Sequence, residues 1–188
     1  MATATPTITN GVNVTQLVDT IELIKKDPSL ARFRFRSETR WKEGGRCETT
    51  IAGFYGAGAE ATRAKTHTLA GDEPAVLLGS DTAPNAVEAV LHALASCISV
   101  GYVYNAAARG ITIESLRFDV DGELDLRAFL GLSDKVRPGF ERITFTATVK
   151  ADADRADLEA LCEYVQKTSP VLDIIRNPVP VSIRLVKE

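Results

Sequence analysis

Residues 13–26 carry apolar side chains at Val14, Leu17, Val18, Ile21 and Ile24, a helical spacing that predicts one amphipathic helix. Asp27-Pro28 ends it, because a residue before proline is pushed out of the helical region. From Arg32 the period becomes two. Arg32-Phe33-Arg34-Phe35-Arg36 predicts a strand with two phenylalanines on one side and three arginines on a solvated side. Gly44-Gly45 marks a turn, residues 47–54 read as the returning strand of a hairpin, and residues 64–69 as a third strand.

The longest apolar stretch covers residues 85–109, where Glu88 is the only charge before Arg109. It predicts a central helix with Asn85 as N-cap and Gly110 just past its end. The second half repeats the grammar. Residues 112–124 and 141–150 are strand-like and are joined by a long loop containing Arg137-Pro138-Gly139. Residues 154–167 form an amphipathic helix with Leu158, Leu161, Cys162 and Val165 inward. Ser169-Pro170 opens a short helix, serine as N-cap and proline at the first position, and residues 178–186 read as a final strand.

These elements define an α+β chain with mostly antiparallel pairing. Residues 1–30 read as an N-terminal helical extension and residues 31–188 as one domain. A helix apolar on nearly every face must be covered all round. Five or six strands and two further helices from one small chain cover it poorly, so a homodimer is expected, with the N-terminal helix a candidate for exchange.

Composition narrows the classes. The 188 residues are 45% apolar and 25% charged with net charge −3, and no basic block occurs, so nucleic acid and an anionic membrane surface are not expected as partners. Glu88, His92, Ser96, Ser99, Gly101 and Asn105 interrupt the apolar run, which suits a buried helix better than a membrane span. Residues 1–10 have neither a basic nor an apolar leader segment, so no signal peptide is expected. Cys47, Cys97 and Cys162 are odd in number and scattered, which points to free thiols in a reducing cytoplasm. His67 and His92 make no metal spacing with them, no nucleotide fingerprint occurs, and neither metal nor cofactor is expected.

Several segments together resemble the osmotically inducible protein C and organic hydroperoxide resistance (OsmC/Ohr) superfamily. They are Pro84-Asn85-Ala86-Val87-Glu88, Leu91-His92-Ala93-Leu94-Ala95-Ser96-Cys97, Ala107-Ala108-Arg109-Gly110-Ile111, and Ser169-Pro170-Val171 with Pro178-Val179-Pro180-Val181. The resemblance runs from about Arg32 to the C-terminus. It implies an intertwined homodimer with sheets wrapped around central helices and two sites at the subunit interface. Peroxidatic relatives attack an organic hydroperoxide with a cysteine on the central helix and resolve the sulfenic acid with a second cysteine in a Cys-Pro motif. An arginine of the first hairpin stabilises the thiolate, and a glutamate before the helix holds that arginine.

The resemblance assigns Cys97 to the first cysteine and puts Ser169 where the second should be. Arg46 matches the family's Gly-Gly-Arg turn, with Arg36 and Arg40 close enough to compete. The position ten residues before the cysteine, where the glutamate belongs, is Val87; Glu88 is one residue later. On a continuous helix Glu88 faces away from Cys97 and lines up with His92 and Ser96; only a helix beginning after Glu88 frees its carboxylate for the thiol side.

Each residue also has a structural reading. Cys97 shares a face with Val90, Ala93, Leu94, Gly101 and Tyr104 and fits as core filler, Ser169 fits as a helix cap, and Cys162 as core. Two functions follow. One is a one-cysteine, thiol-dependent peroxidase, acting on small organic hydroperoxides through Cys97 with an external thiol reductant. The other is a non-enzymatic protein of the same fold that binds a small hydrophobic ligand at the dimer interface.

Overall fold

A computed structural model describes residues 6–187. The chain is α+β, its strands pair antiparallel, and it folds as two compact units: residues 6–8 with 13–90, and residues 9–12 with 91–187.

In the first unit α1 (Val14–Lys26) starts on Asn13, whose side chain accepts from Gln16 N, and ends with Lys25 and Lys26 against the negative end of the helix dipole. Its apolar face is present as predicted, yet none of its residues is buried. The strand region departs from the simple hairpin reading. The 32–36 segment contributes only β3 (Arg34–Phe35), while the hairpin through Gly44-Gly45 joins β4 (Glu38–Glu43) to β5 (Arg46–Ile51). Two three-stranded antiparallel sheets result, because the chain breaks again after Ile51 into β6 (Phe54–Gly56), β7 (Ala59–Ala61) and β8 (His67–Gly71). One sheet has the order β4-β5-β8 and the other β3-β6-β7. Phe33, Phe35 and Phe54 then cluster, with ring centroids 5.7 to 6.2 Å apart.

The helix α2 (Ala86–Ala108) begins at the end of the first unit and runs through the second. Gly110, in the left-handed conformation at φ 74°, terminates it as the sequence predicts. In the second unit α2 buries the stripe Leu94, Ile98, Tyr102 and Ala106, spaced four apart. Leu161 and Val165 of α4 (Arg155–Thr168) pack on that stripe together with Ile111. The long hairpin of β9 (Ile113–Glu123) and β10 (Arg142–Ala151) turns Leu116, Phe118, Ile143 and Phe145 towards the same core. The loop between these strands contains α3 (Leu126–Phe129), an element the sequence pattern does not signal. Asp154 caps α4 by accepting from Asp157 N. Ser169 then caps α5 (Pro170–Arg176).

The expected strand at residues 178–186 is a correction. This segment joins no sheet among the described residues, and Ile183 (94% exposed) and Leu185 (92%) project into solvent. Its alternation is real, but a strand needs a neighbouring edge, and no edge among the described residues pairs with it.

Ahead of all this, β1 (Ile8–Thr9) and β2 (Val12–Asn13) form a small hairpin. Its turn, Asn10-Gly11, has positive φ at both residues, 52° and 75°, the geometry for which an Asn-Gly pair is best suited. The Asn10 side chain acts like one more residue of a ladder: its Nδ2 donates to Ile111 O and its Oδ1 accepts from Ile113 N, both at 2.9 Å. Asn10→Ala removes both bonds and leaves two backbone groups to find other partners. The expected loss is roughly 1–3 kcal/mol in urea unfolding; an unchanged midpoint would show that the clamp contributes nothing.

Candidate active site at the Cys97–Ser169 seam

The second unit brings two of the four candidate residues together. Cys97 sits on α2 beside the buried stripe and is itself partly buried. Ser169 is the single residue between α4 and α5, and at 5% exposure it is buried. Its hydroxyl lies 3.2 Å from Cys97 Sγ and accepts from Leu172 N at 3.3 Å, so it caps α5 and meets the thiol at once. With one oxygen lone pair directed at Leu172 N–H, the hydroxyl proton is free to donate to sulfur whenever Cys97 is a thiolate.

Three contacts along α2 and α4 fix an antiparallel register. Cys97 meets Ser169, Gly101 meets Val165, and Tyr102 meets Cys162. Burial pushes the Tyr102 phenol well above its ordinary range, and a hydrogen bond with Cys162 adds to the shift. Cys162 also accepts from Gln166 Nε2 at 3.4 Å. It lies seven residues from Ser169, about 10 Å along the helix. Cys162 faces Tyr102, five residues beyond Cys97 on α2, whereas Ser169 faces Cys97 itself. All three cysteines are free.

The other two candidates are engaged in the first unit. Because α2 starts at Ala86, Glu88 lies inside its first turn. Its carboxylate accepts from Asn85 N at 2.8 Å while Asn85 Oδ1 accepts from Glu88 N at 2.9 Å, a reciprocal capping box. The stripe predicted below it is present at His92 and Ser96, whose Nε2 and Oγ are 3.4 Å apart. Arg46 lies on β5 and pairs with Glu43 at 2.7 Å; its two competitors are also paired, Arg36 with Glu60 and Arg40 with Glu38, both at 2.6 Å. Arg46 lines an open cleft of about 400 Å³ with Lys42, Cys47, Glu48, Gly71 and Thr82. Among the described residues no group of three or more His, Cys, Asp or Glu side chains is arranged to hold a metal ion.

Sequence reasoning missed the residue that organises the loop leading to α2. Asp72 is buried, at 2% exposure, and its carboxylate accepts from Thr82 Oγ1 (2.7 Å), Thr82 N (3.0 Å), Glu73 N (2.8 Å) and Ser80 N (3.4 Å). The Thr82 hydroxyl above all, then the backbone N–H groups, lowers its pKa to about 2. The only sequence signal was an aspartate amid the loop's glycines and prolines.

The OsmC-like protein family model matches residues 79–184, more than half of the chain, and the protein belongs to that family. No curated protein sequence matches it. Among solved structures, the OsmC-like protein of Mycoplasma pneumoniae superposes with a TM-score of 0.59 at 15% identity, covering 77% of this chain and 89% of that one. An OsmC-like protein of unknown function from Vibrio cholerae gives 0.52 at 14%, covering 74% and 92%. An organic hydroperoxide resistance protein OsmC from Legionella pneumophila gives 0.50 at 17%, covering 76% and 89%. At these identities the likeness establishes the fold.

Asp72 provides a test of the loop. A carboxylate whose folded pKa lies below its unfolded value of 3.8 stabilises fully above that value, and the contribution disappears as pH falls towards about 2. Asp72→Asn is therefore expected to unfold at lower urea than wild type at pH 7, with the gap closing between about pH 4 and pH 2. A gap independent of pH over that interval would show that the Asp72 charge is not responsible.

Proposed function

We propose that this OsmC-like protein is a one-cysteine thiol peroxidase that reduces small organic hydroperoxides through Cys97. The observation that carries the reading is the 3.2 Å contact from Cys97 Sγ to the buried Ser169 hydroxyl, which falls where two-cysteine relatives keep their second thiol. The thiolate attacks the terminal peroxide oxygen and the O–O bond breaks. Cys97 becomes a sulfenic acid, and the departing alkoxide takes a proton from solvent to leave as alcohol. Ser169 cannot form a disulfide, so its hydroxyl only holds the sulfur and the sulfenic oxygen. An external thiol attacks the sulfenic acid, releasing water and forming a mixed disulfide, and a second thiol restores Cys97 as the small disulfide leaves.

A homodimer belongs to this reading. It is supported by two apolar surfaces that the chain leaves uncovered: the arm at residues 178–186, and the side of α2 carrying Val100 and Tyr104. The arginine role falls to Arg46 by its place after Gly44-Gly45. The assembled dimer must then draw it from Glu43.

That pairing, with the Glu88 carboxylate committed to its capping box, favours a second reading: a ligand-binding member of the fold without peroxidase activity. One experiment separates the two. After one equivalent of cumene hydroperoxide, dimedone is expected to label Cys97, located by peptide mass, and Cys97→Ser is expected to abolish that label. Unlabelled Cys97, with Cys97→Ser binding an apolar fluorescent probe as well as wild type, would replace the first reading with the second.

A further inference from the structure

We infer that Gly101 is a positioning residue for the Cys97 thiol, through its contact with Val165. Gly101 lies one turn beyond Cys97 on α2, and Val165 one turn before Ser169 on α4. A Cβ placed on Gly101 would come within 2.8 Å of Val165 Cγ1, closer than real side-chain carbons approach. Its φ is not in the left-handed region, so the backbone makes no demand for glycine here. In a helix interior glycine is disfavoured by about 1 kcal/mol against alanine, and what it secures in return is close approach of the two helices. Val165 is almost fully buried, so it cannot swing away into solvent.

The consequence falls on the thiol. Any residue larger than glycine at position 101 must push α4 outward at Val165, and Ser169 is carried by the same helix end. The Cys97–Ser169 contact is 3.2 Å, and any outward shift of α4 lengthens it and weakens the hydrogen bond to sulfur. Gly101 touches neither sulfur nor hydroxyl; it sets the distance between them.

The inference deepens the proposed function by resting on the Ser169 hydroxyl as donor to the Cys97 thiolate. The readout is the rate at which iodoacetamide alkylates Cys97 in the full-length protein at neutral pH, followed on the Cys97 peptide so that Cys47 and Cys162 do not contribute. Ser169→Ala is expected to slow it by about fivefold, the size of one ordinary hydrogen bond to sulfur. Gly101→Ala is expected to slow it equally, and the double variant no further. Val165→Ala in the Gly101→Ala background removes the methyl groups the new Cβ meets and is expected to restore the wild-type rate.

Multiplicative effects of Gly101→Ala and Ser169→Ala, an unaltered rate in Gly101→Ala, or failure of Val165→Ala to restore it would overturn the inference. If Gly101→Ala alone does not fold, the Gly101→Ala/Val165→Ala pair carries the test by itself: it must fold and alkylate at the wild-type rate. A Ser169→Ala rate equal to wild type would remove the donor role on which the inference rests. Peroxide labelling of Cys97 is scored separately, so loss of the peroxidase reading is distinguishable from loss of the spacer.

Discussion

The close approach of α2 and α4 is the constraint on which the candidate site depends. Two helices meet tightly only where a small residue lets one backbone near its neighbour, and here Gly101 against Val165 supplies that place. One turn away on each helix, the same approach sets Cys97 against Ser169; on the other side it encloses Tyr102 against Cys162. The thiol is therefore not simply exposed or buried. It is partly buried beside an apolar core, with one polar partner that the helix cap already holds in place.

That arrangement gives Ser169 two roles at no structural conflict. A capping hydroxyl must accept from the backbone N–H of the helix it begins, and this uses an oxygen lone pair while leaving the hydroxyl proton available. A cysteine at the same position would cap less well and would offer a disulfide instead of a hydrogen bond. Serine at this position supplies a polar contact and cannot form a disulfide. In the proposed peroxidase this shifts the reducing half of the cycle to an external thiol.

Much of the frame was legible because it depends on local chemistry. The polar-apolar spacing located α1, α2 and α4, Asn85 announced a helix start, Gly110 a helix end, and Ser169-Pro170 the start of α5. The motif around Cys97 identified the family. What was hidden is tertiary. Nothing local to Gly101 says that Val165 lies against it, nothing near Asn10 names Ile111 and Ile113 as partners, and Asp72 gathers groups up to ten residues away. The 32–36 alternation was real but was assigned the wrong partner, since pairing depends on which edge is free. The apolar alternation at residues 178–186 likewise predicts a strand without saying whose sheet receives it.

The central claim, that Cys97 reacts alone, is tested most directly by titrating the reduced protein with cumene hydroperoxide in the absence of any added thiol. The account predicts that one mole of hydroperoxide is consumed per mole of chain, that consumption then stops, and that an added small monothiol restarts it, with none of this in Cys97→Ser. Continued turnover without thiol, or consumption unchanged in Cys97→Ser, would contradict it.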